Sequence, residues 1–368
     1  MFKSENIIVI LGNGFDLAHD LPTSYSDFSD YIVSKIITPE IFKCIYNANY
    51  NSILLKDDKV RSLKSNPDYL INLQLKNYLR EVKNSEDLNR IIVGIFGANH
   101  DISHVITNNF LGEIYASKEH NWFNIENEYF DRLLNISHRS NRTTPIEKKS
   151  DLKRLNKEFE MIKSWLKTYL EALETSLDKS IRNFFDYHFN NGLVKNIYLL
   201  IFNYTNTISH YLPFFKKDKF DSIRLNFIHG KSNEEIIFGY GNDQSKEYQQ
   251  LLSTEIDEYI QNFKTFGYGK NNRYSELLEA IEGFNNYEVL NLGHSLGLTD
   301  KTILEEIFNN PACTKIHLAK RSDLEGLEKQ NAFMTNFFAA SRIIANDKRL
   351  RRVVASYESA TSFPLNNL

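Results

Sequence analysis

Residues 7–22 read IIVILGNGFDLAHDLP, an apolar run that breaks directly into a Gly-x-Gly turn. A short buried strand followed by such a turn is how α/β folds open a dinucleotide-binding site. Gly12 permits the tight turn, and Gly14 lets the backbone come close to a pyrophosphate. The third glycine of the usual fingerprint is absent near Leu17, so the motif by itself does not identify a nucleotide site. It predicts the first strand of a parallel sheet.

The composition indicates a globular protein with a large core. Of 368 residues, 42% are apolar and 13% aromatic, enough for substantial burial. A formal net charge of -3 gives no overall attraction to nucleic acid or to anionic membranes. Two cysteines are too few for a disulfide framework or a four-cysteine zinc site, and we expect no metal. No apolar run reaches about 18 residues and no signal-peptide pattern is present, so we expect a cytoplasmic protein without a membrane span.

Apolar segments predict an α/β fold. Four of them, short and followed by polar or glycine residues, predict buried and mainly parallel strands at 7–11, 197–202, 288–292 and 315–319. Residues 224–228 and 235–238 flank a small turn and predict two further strands. Residues 148–188 predict one long amphipathic helix. The fold class is therefore a Rossmann-like, mainly parallel sheet with a large helical insertion between its first two strands.

Four parts follow from this pattern. Residues 1–38 begin the Rossmann-like domain and carry its nucleotide loop, 39–195 form the helical insertion, 196–322 complete the domain, and 323–368 form a C-terminal helix and tail. A parallel crossover needs only about a dozen residues, which is why the long segment is an insertion. Within it, residues 137–145 predict an exposed loop. The basic cluster at 348–352 is typical of a solvated helix face or a helix C-terminus.

Polar motifs follow the other predicted strands. Asn203 and Thr205 follow the second strand, His229 precedes Gly230 in the next loop, and residues 293–300 read GHSLGLTD. Because parallel strands end at one edge of a sheet, we expect these motifs to meet there. Each has a structural explanation when taken singly, such as an asparagine that caps a turn.

These motifs resemble, in the same order, those of sirtuin-like NAD-binding domains. Residues 12–22 are similar to the sirtuin loop Gly-Ala-Gly-Ile-Ser-x-x-Ser-Gly-Ile-Pro, and residues 202–205 to its Asn-Tyr-Asp or Asn-Ile-Asp element. His229-Gly230 resembles the sirtuin His-Gly, and residues 293–296 resemble its Gly-Thr-Ser-Leu. The resemblance implies a sirtuin-like sheet with NAD as ligand. It implies that NAD is held by Gly12, Asn13, Gly14, Phe15, Asp16, Thr205, Gly293 and Ser295.

Two residues depart from the sirtuin pattern. Thr205 stands where sirtuins carry an Asp that contacts nicotinamide, and Asp16 replaces a small serine. A carboxylate beside a pyrophosphate is unfavourable unless it faces ribose hydroxyls or solvent. The paired Cys-x-x-Cys motifs of deacylating sirtuins are missing, which argues against protein deacetylation.

A second resemblance is to the bacteriophage abortive-infection AbiH family. Its opening segment, GNGFDLAHGLPTSY, is matched from Gly12 to Tyr25 with Asp20 in place of a glycine. Residues 122–126, WFNIE, resemble its Trp-x-Asp-Ile-Glu segment, with Asn124 where an Asp is usual. Membership implies antiphage defence, which needs a trigger such as a phage or host protein, or assembly into a homo-oligomer. It does not supply a reaction.

Cleavage of NAD requires a held ribose, controlled access of water and one base. His229 is the candidate base, because an imidazole near its reference pKa of about 6.5 accepts a proton at neutral pH. Asn203 is the second candidate catalytic residue, since its amide can orient water or a ribose hydroxyl without adding charge. The leading hypothesis is an abortive-infection protein that hydrolyses NAD to nicotinamide and ADP-ribose.

Two alternatives stay open. Gly293-x-Ser295-x-Gly297 also fits the nucleophile elbow of serine hydrolases, although the only downstream histidine is His317, inside a predicted strand. The departures at Asp16 and Thr205 favour a nucleotide-binding sensor or interaction protein without turnover. His19 and His294 lie beside the same loops, and packing or capping explains His19 without a catalytic role.

Overall fold

Two compact units make up the chain. The computed structural model describes residues 2–47, 49–62, 69–116, 125–139, 144–190, 192–215 and 219–364. One unit comprises Met1–Thr23 and Leu170–Leu368, and the other comprises Ser24–Tyr169. We call them the sheet unit and the helical unit.

The sheet unit is built on five strands in the order β3-β2-β1-β4-β5. All neighbouring pairs are parallel. The strands are β1 (Asn6–Leu11), β2 (Asn196–Ile201), β3 (Ser222–Phe227), β4 (Tyr287–Leu292) and β5 (Cys313–Leu318). This order is that of five of the six strands of the Rossmann sheet. The predicted α/β fold with a parallel sheet is confirmed, whereas its likeness to sirtuins stays a prediction.

The central strand β1 is apolar from Ile7 to Leu11 because helices cover both faces of the sheet. Ile8 and Ile10 enter one core, and Ile7, Val9 and Leu11 enter the other. All five side chains are 0% exposed. Alternate residues of a strand point to opposite faces, so a sheet covered on both sides needs a continuous apolar run. Each such burial contributes about 1.5–3 kcal/mol relative to exposure.

Helices flank the sheet on both faces. On the face of Val9, α10 (Lys179–Phe189) contributes Phe185 and Phe189 to the core. On the other face, α14 (Arg273–Gly283) contributes Leu277 and α15 (Lys301–Asn309) contributes Ile303. The helices of this unit are α1 (Asn13–Leu17), α10 (Lys179–Phe189), α11 (Lys246–Leu252), α12 (Asp257–Ile260), α13 (Lys264–Tyr268), α14 (Arg273–Gly283), α15 (Lys301–Asn309), α16 (Gly326–Ser341) and α17 (Asp347–Val353). Two 3-10 helices (Thr207–Phe214 and Leu298–Asp300) and a small pair of strands, β6 (Lys320–Arg321) and β7 (Ser362–Phe363), complete the unit.

The helical unit begins at a capping box. The Ser24 hydroxyl accepts the backbone N–H of Asp27, whose carboxylate accepts the backbone N–H of Ser24. A π-helical turn, Ile32–Ile37, joins the first two helices. The helices are α2 (Tyr25–Tyr31), α3 (Thr38–Tyr46), α4 (Asp57–Ser62), α5 (Tyr69–Glu81), α6 (Ser85–Phe96), α7 (Asn109–Ala116), α8 (Ile125–Ser137) and α9 (Pro145–Glu171). Among the residues described, no helix is both long and apolar enough to cross a membrane.

The division of the chain differs from the predicted boundaries. The predicted insertion runs from 39 to 195, whereas the helical unit is Ser24–Tyr169. The reason is that α10, inside the predicted insertion, packs its phenylalanines into the core of the sheet unit. The single long helix predicted at 148–188 is wrong. The chain breaks before Asp178, whose carboxylate caps the N-terminus of α10 by accepting two backbone N–H groups.

The strand predicted at 235–238 is also wrong. Within this segment, the backbone N–H of Ile237 donates one hydrogen bond to the carbonyl of His229 at 2.8 Å. Gly239 follows with φ +153°, and a Cβ there would lie 1.8 Å from the carbonyl oxygen of Asn262. The chain therefore turns away from β3 before a ladder forms. Residues 140–143 of the predicted loop, and 122–124 of the WFNIE segment, lie outside the described residues.

Candidate functional site

The carboxyl edge of the sheet brings four predicted motifs together. Leu11, the last residue of β1, lies opposite Ile201 of β2 and Leu292 of β4. Ile201 in turn lies opposite Phe227 of β3. The loops that follow these strands carry the candidate residues, so all of them emerge at one edge, where open α/β sheets bind their ligands.

The Gly12–Gly14 turn is closed against the loop after β4. The N–H of Gly12 donates to the carbonyl of Leu292 at 3.1 Å, and that of Gly14 to the carbonyl of Gly293 at 2.8 Å. A Cβ at Gly12 would lie 2.3 Å from the Cα of His294, and one at Gly14 would lie 2.7 Å from the Cα of Gly293. The close approach of two backbones therefore requires both glycines. Phosphate binding by this turn stays a prediction.

The side chains within and just after the turn differ in exposure. Asn13 is exposed, whereas the Phe15 ring is buried and packs against Phe185 and Tyr211. Only the backbone of Phe15 is thus left to contact a ligand. His19 is held between the Phe15 carbonyl, 2.7 Å from Nδ1, and the Tyr211 hydroxyl, 2.5 Å from Nε2. Packing and these hydrogen bonds account for His19.

A buried carboxyl lies at the centre of the first polar cluster, which we call the Asp16 cluster (Asp16, Asn203, Thr205 and Thr207). The Thr205 hydroxyl lies 2.8 Å from both oxygens of Asp16, and the Thr207 hydroxyl donates to Oδ1 at 2.8 Å. The Asn203 side chain also hydrogen-bonds to the carboxyl. Burial raises the pKa of Asp16 to about 6, although these hydrogen bonds oppose the increase. A carboxyl group is therefore present beside Thr205, supplied by the loop after β1.

One acceptor of this cluster has no hydrogen-bond partner among the residues that the structure describes. Asn203 is 7% exposed, and its Oδ1 accepts no hydrogen bond from the described residues. Buried polar atoms are normally paired, so an open acceptor at a strand end is a place for a ligand or water donor. A cavity of about 280 Å³ lies beside Thr205. Its lining carries hydroxyls, amides, one lysine and one glutamate among Leu170, Glu171, Leu173, Thr175, Tyr204, Thr205, Asn206, Lys231, Ser232 and Asn233.

A second cluster, the Asp300 cluster, comprises His229, Lys264, His294 and Asp300. The Lys264 Nζ lies 2.7 Å from Asp300 Oδ1, and the His229 Nε2 lies 3.3 Å from the same oxygen. The His294 Nε2 lies 3.3 Å from Asp300 Oδ2. The side chain of Lys264 is 2% exposed and that of Asp300 13%, so this is a buried ion pair flanked by two imidazoles.

Burial changes the acid–base properties of this second cluster. The expectation that His229 keeps an ordinary pKa is wrong: burial, followed by the charge of Lys264, lowers the pKa of His229 to about 3. For Asp300, burial alone would raise the pKa, but Lys264 and the two histidines hold it well below its usual range. His229 is consequently uncharged at neutral pH in this arrangement.

The sequence points to Asp300 as a member of this cluster but gives no indication of Lys264. Asp300 ends the GLTD segment of the same motif that contains His294, so proximity in sequence points to it. No motif points to Lys264, because a lysine in a polar segment is normally exposed. Among the described residues, no group of three or more His, Cys, Asp or Glu side chains is arranged to hold a metal.

Ser295 lies apart from the downstream histidine. Ser295 is exposed after the carboxyl end of β4. The His317 Nε2 lies 2.6 Å from Glu288, near the amino end of the same strand. The structure therefore does not bring Ser295 and His317 together as the nucleophile and base of a serine hydrolase. The adjacent Leu296 is buried at φ +56°, and its N–H donates to Nδ1 of His294 at 2.9 Å.

The family assignment comes from comparison with known proteins. Residues 8–319 match the family model described as "Bacteriophage abortive infection AbiH". The chain belongs to the AbiH family. The matched segment runs from β1 past the end of β5 and includes both polar clusters, and the resemblance found at Gly12–Tyr25 is thereby confirmed. Comparisons with curated proteins and with solved structures gave no significant match.

Proposed function

We propose that this AbiH protein limits phage infection by binding NAD at the carboxyl edge of its sheet and hydrolysing the nicotinamide–ribose bond. The observation that carries the proposal is the Asp16 cluster. A buried carboxyl is hydrogen-bonded to Thr205 and Asn203. The side-chain oxygen of Asn203 has no partner among the described residues, and Thr205, two positions along, lines a polar cavity. A pre-oriented acceptor of this kind can take the hydrogen of a ribose hydroxyl or of the attacking water.

In this reaction, the oxygen of water bonds to C1′ of the ribose while the bond from C1′ to the nicotinamide nitrogen breaks. Nicotinamide leaves with the electron pair of that bond, which neutralises its ring. The water loses one proton, and ADP-ribose is released. We assign the open oxygen of Asn203 to contact with the ribose or the water, and His229 to acceptance of the proton. Asp16 acts as a positioning residue through its hydrogen bonds to Asn203 and Thr205.

The test measures NAD in phage-infected cells that express the full chain, because infection supplies any trigger. We expect NAD to fall and nicotinamide to rise with the wild-type chain, and both changes to be lost with Asn203→Ala. Purified protein with NAD should release nicotinamide at least about 100-fold more slowly after His229→Ala. Ser341→Ala, which removes an exposed hydroxyl at the end of α16 and outside the candidate site, is the control. Protection from phage without any change in NAD would contradict the proposal.

A nucleotide sensor without turnover is the second candidate. It is favoured by the burial of His229 and Asp16, which are 3% and 1% exposed, since a base that touches water is usually accessible. Calorimetry distinguishes the two candidates: a sensor binds NAD or ADP-ribose saturably and releases no nicotinamide, whereas the hydrolase consumes NAD. In both cases Gly14→Glu should remove binding, because the new side chain would occupy the edge.

A further inference from the structure

Asp300 joins three separate elements of the sheet unit. It contacts Lys264 from α13, His229 from the loop after β3, and His294 from the loop after β4. The side chains of the three partners are at most 5% exposed. One carboxylate therefore contacts two imidazoles that come from loops after different strands of the sheet.

Lys264 and His229 share one oxygen of this carboxylate. Lys264 Nζ is at 2.7 Å from Oδ1 and His229 Nε2 at 3.3 Å. His229 Nε2 also lies 3.2 Å from the hydroxyl of Tyr268, which is on α13 with Lys264. Because the lysine already balances the carboxylate, a proton on His229 would add a second buried positive charge without a counter-charge.

We propose that Asp300 is the positioning carboxylate of His229, and that Lys264, by holding the shorter contact to Asp300, keeps His229 uncharged. Loss or displacement of Lys264 would leave a His229–Asp300 pair, in which the imidazole accepts a proton more readily. Lys264 thus acts as a restraint on the strength of the base. The consequence for catalysis rests on the proposed function, whereas the charge state of His229 does not.

A second pair in the same sheet shows the arrangement without this competition. His317 Nε2 approaches Glu288 to 2.6 Å, so there the imidazole itself makes the short contact to the carboxylate.

The groups that face His229 come from three segments. They are Lys264 and Tyr268 from α13, Asp300 and His294 from the segment after β4, and Phe202 and Tyr204 from the segment after β2. The Lys264 charge lowers the pKa of His229 and the Asp300 charge raises it.

The test is a pH titration of the imidazole signals of the full chain by NMR, with ¹⁵N-labelled histidine and His229 assigned by the signal lost in His229→Gln. We expect Lys264→Met to raise the titration midpoint of His229 by about 1 pH unit or more. Asp300→Asn should lower it or leave it below the accessible range. Glu288→Gln is the matched control and should leave the midpoint of His229 unchanged. An unchanged or lower midpoint of His229 in Lys264→Met would overturn the proposal.

The double variant, Lys264→Met with Asp300→Asn, removes both charges and protects the test against misfolding of a single variant. Its His229 midpoint should exceed that of Asp300→Asn, because the two chains differ only in the lysine, and equal midpoints would contradict the proposal. Nicotinamide release is the separate readout. A raised midpoint in a protein that never cleaves NAD would refute the proposed function alone, and NAD cleavage with an unmoved midpoint would refute this inference alone.

Discussion

Asp16 links the stability of the protein to pH. Its pKa is 3.8 in the reference state and about 6 in the folded chain, because burial disfavours the charged carboxylate. Between these two values the folded state binds more protons than the unfolded state. The stability that this group contributes is therefore fully present below pH 3.8 and is lost as the pH rises through about 6.

We expect Asp16→Asn to abolish this pH dependence, since an amide does not titrate. From acid to neutral pH, the free energy of unfolding of the wild-type chain should fall by roughly 3 kcal/mol relative to that of the variant. Urea denaturation at a series of pH values measures the difference. Asp20→Asn, which changes an exposed aspartate four residues along, is the control. Parallel pH profiles for the wild type and Asp16→Asn would refute the burial effect.

Gly12 tests whether the glycine turn has a structural role in the absence of any ligand. A Cβ at this position would lie 2.3 Å from the His294 Cα, so the loops after β1 and β4 would have to separate. We expect Gly12→Ala to lower the free energy of unfolding by about 1–3 kcal/mol. A methyl group added at Gly94 in α6 would meet no atom within 4 Å, and Gly94→Ala should be neutral or stabilising by up to about 1 kcal/mol. Equal effects in denaturation experiments would show that the turn is not closely packed.

At the scale of elements, the basic cluster of α17 has two roles. The Arg349 guanidinium donates to the carbonyls of Phe308 and Asn310, where α15 ends, whereas Arg351 is exposed. We expect Arg349→Ala to lower the free energy of unfolding by about 1.5–3 kcal/mol, because these are charged hydrogen bonds to a helix terminus. Arg351→Ala should change it by less than about 0.5 kcal/mol. Thermal or urea unfolding of the two variants measures the difference. A larger effect of Arg351→Ala than of Arg349→Ala would contradict the structural role of Arg349.

Strands β1, β2 and β4 were predictable because each is largely a short apolar run buried on both faces. Strands β3 and β5 carry polar residues between their apolar ones. The neighbours of each strand in space were not predictable, since pairing depends on contacts between distant segments. The break before α10 depends on one cap, Asp178, which an amphipathic pattern that continues through it conceals. The strand expected at 235–238 has suitable residues, but the close approach of Gly239 to Asn262 redirects the chain. A local cap decided the first case, and tertiary packing overrode local propensity in the second.

The candidate site was predictable where residues share a motif with a strand end. Asn203, His229 and His294 follow β2, β3 and β4 directly, so topology alone brings them to one edge. The partners of these residues were not predictable. Lys264 reaches Asp300 from α13, a five-residue helix with no strand before it to give its position. The tertiary fold buries this lysine, and the amino-acid sequence around it does not predict that burial.

At the scale of the whole molecule, the two polar clusters lie at the same edge of the sheet, beside different cores. The Asp300 cluster lies beside the core that contains Phe202 and Tyr268, whereas Asp16 follows Phe15, which packs in the core of the other face. The loop that follows β2 contacts both clusters, because Phe202 packs against both histidine rings and Asn203 hydrogen-bonds to Asp16. Substitutions in this loop are therefore expected to affect both clusters.

The position of β1 in the sheet has a consequence for how the protein is made. β1 is synthesised first, yet its two partners, β2 and β4, begin only at Asn196 and Tyr287. At a synthesis rate of about 5–20 residues per second, the ribosome needs roughly 10–40 s to reach the nearer partner. During that interval five consecutive apolar side chains have no sheet to join. We therefore expect β1 to stay unpaired in the nascent chain until the second strand emerges.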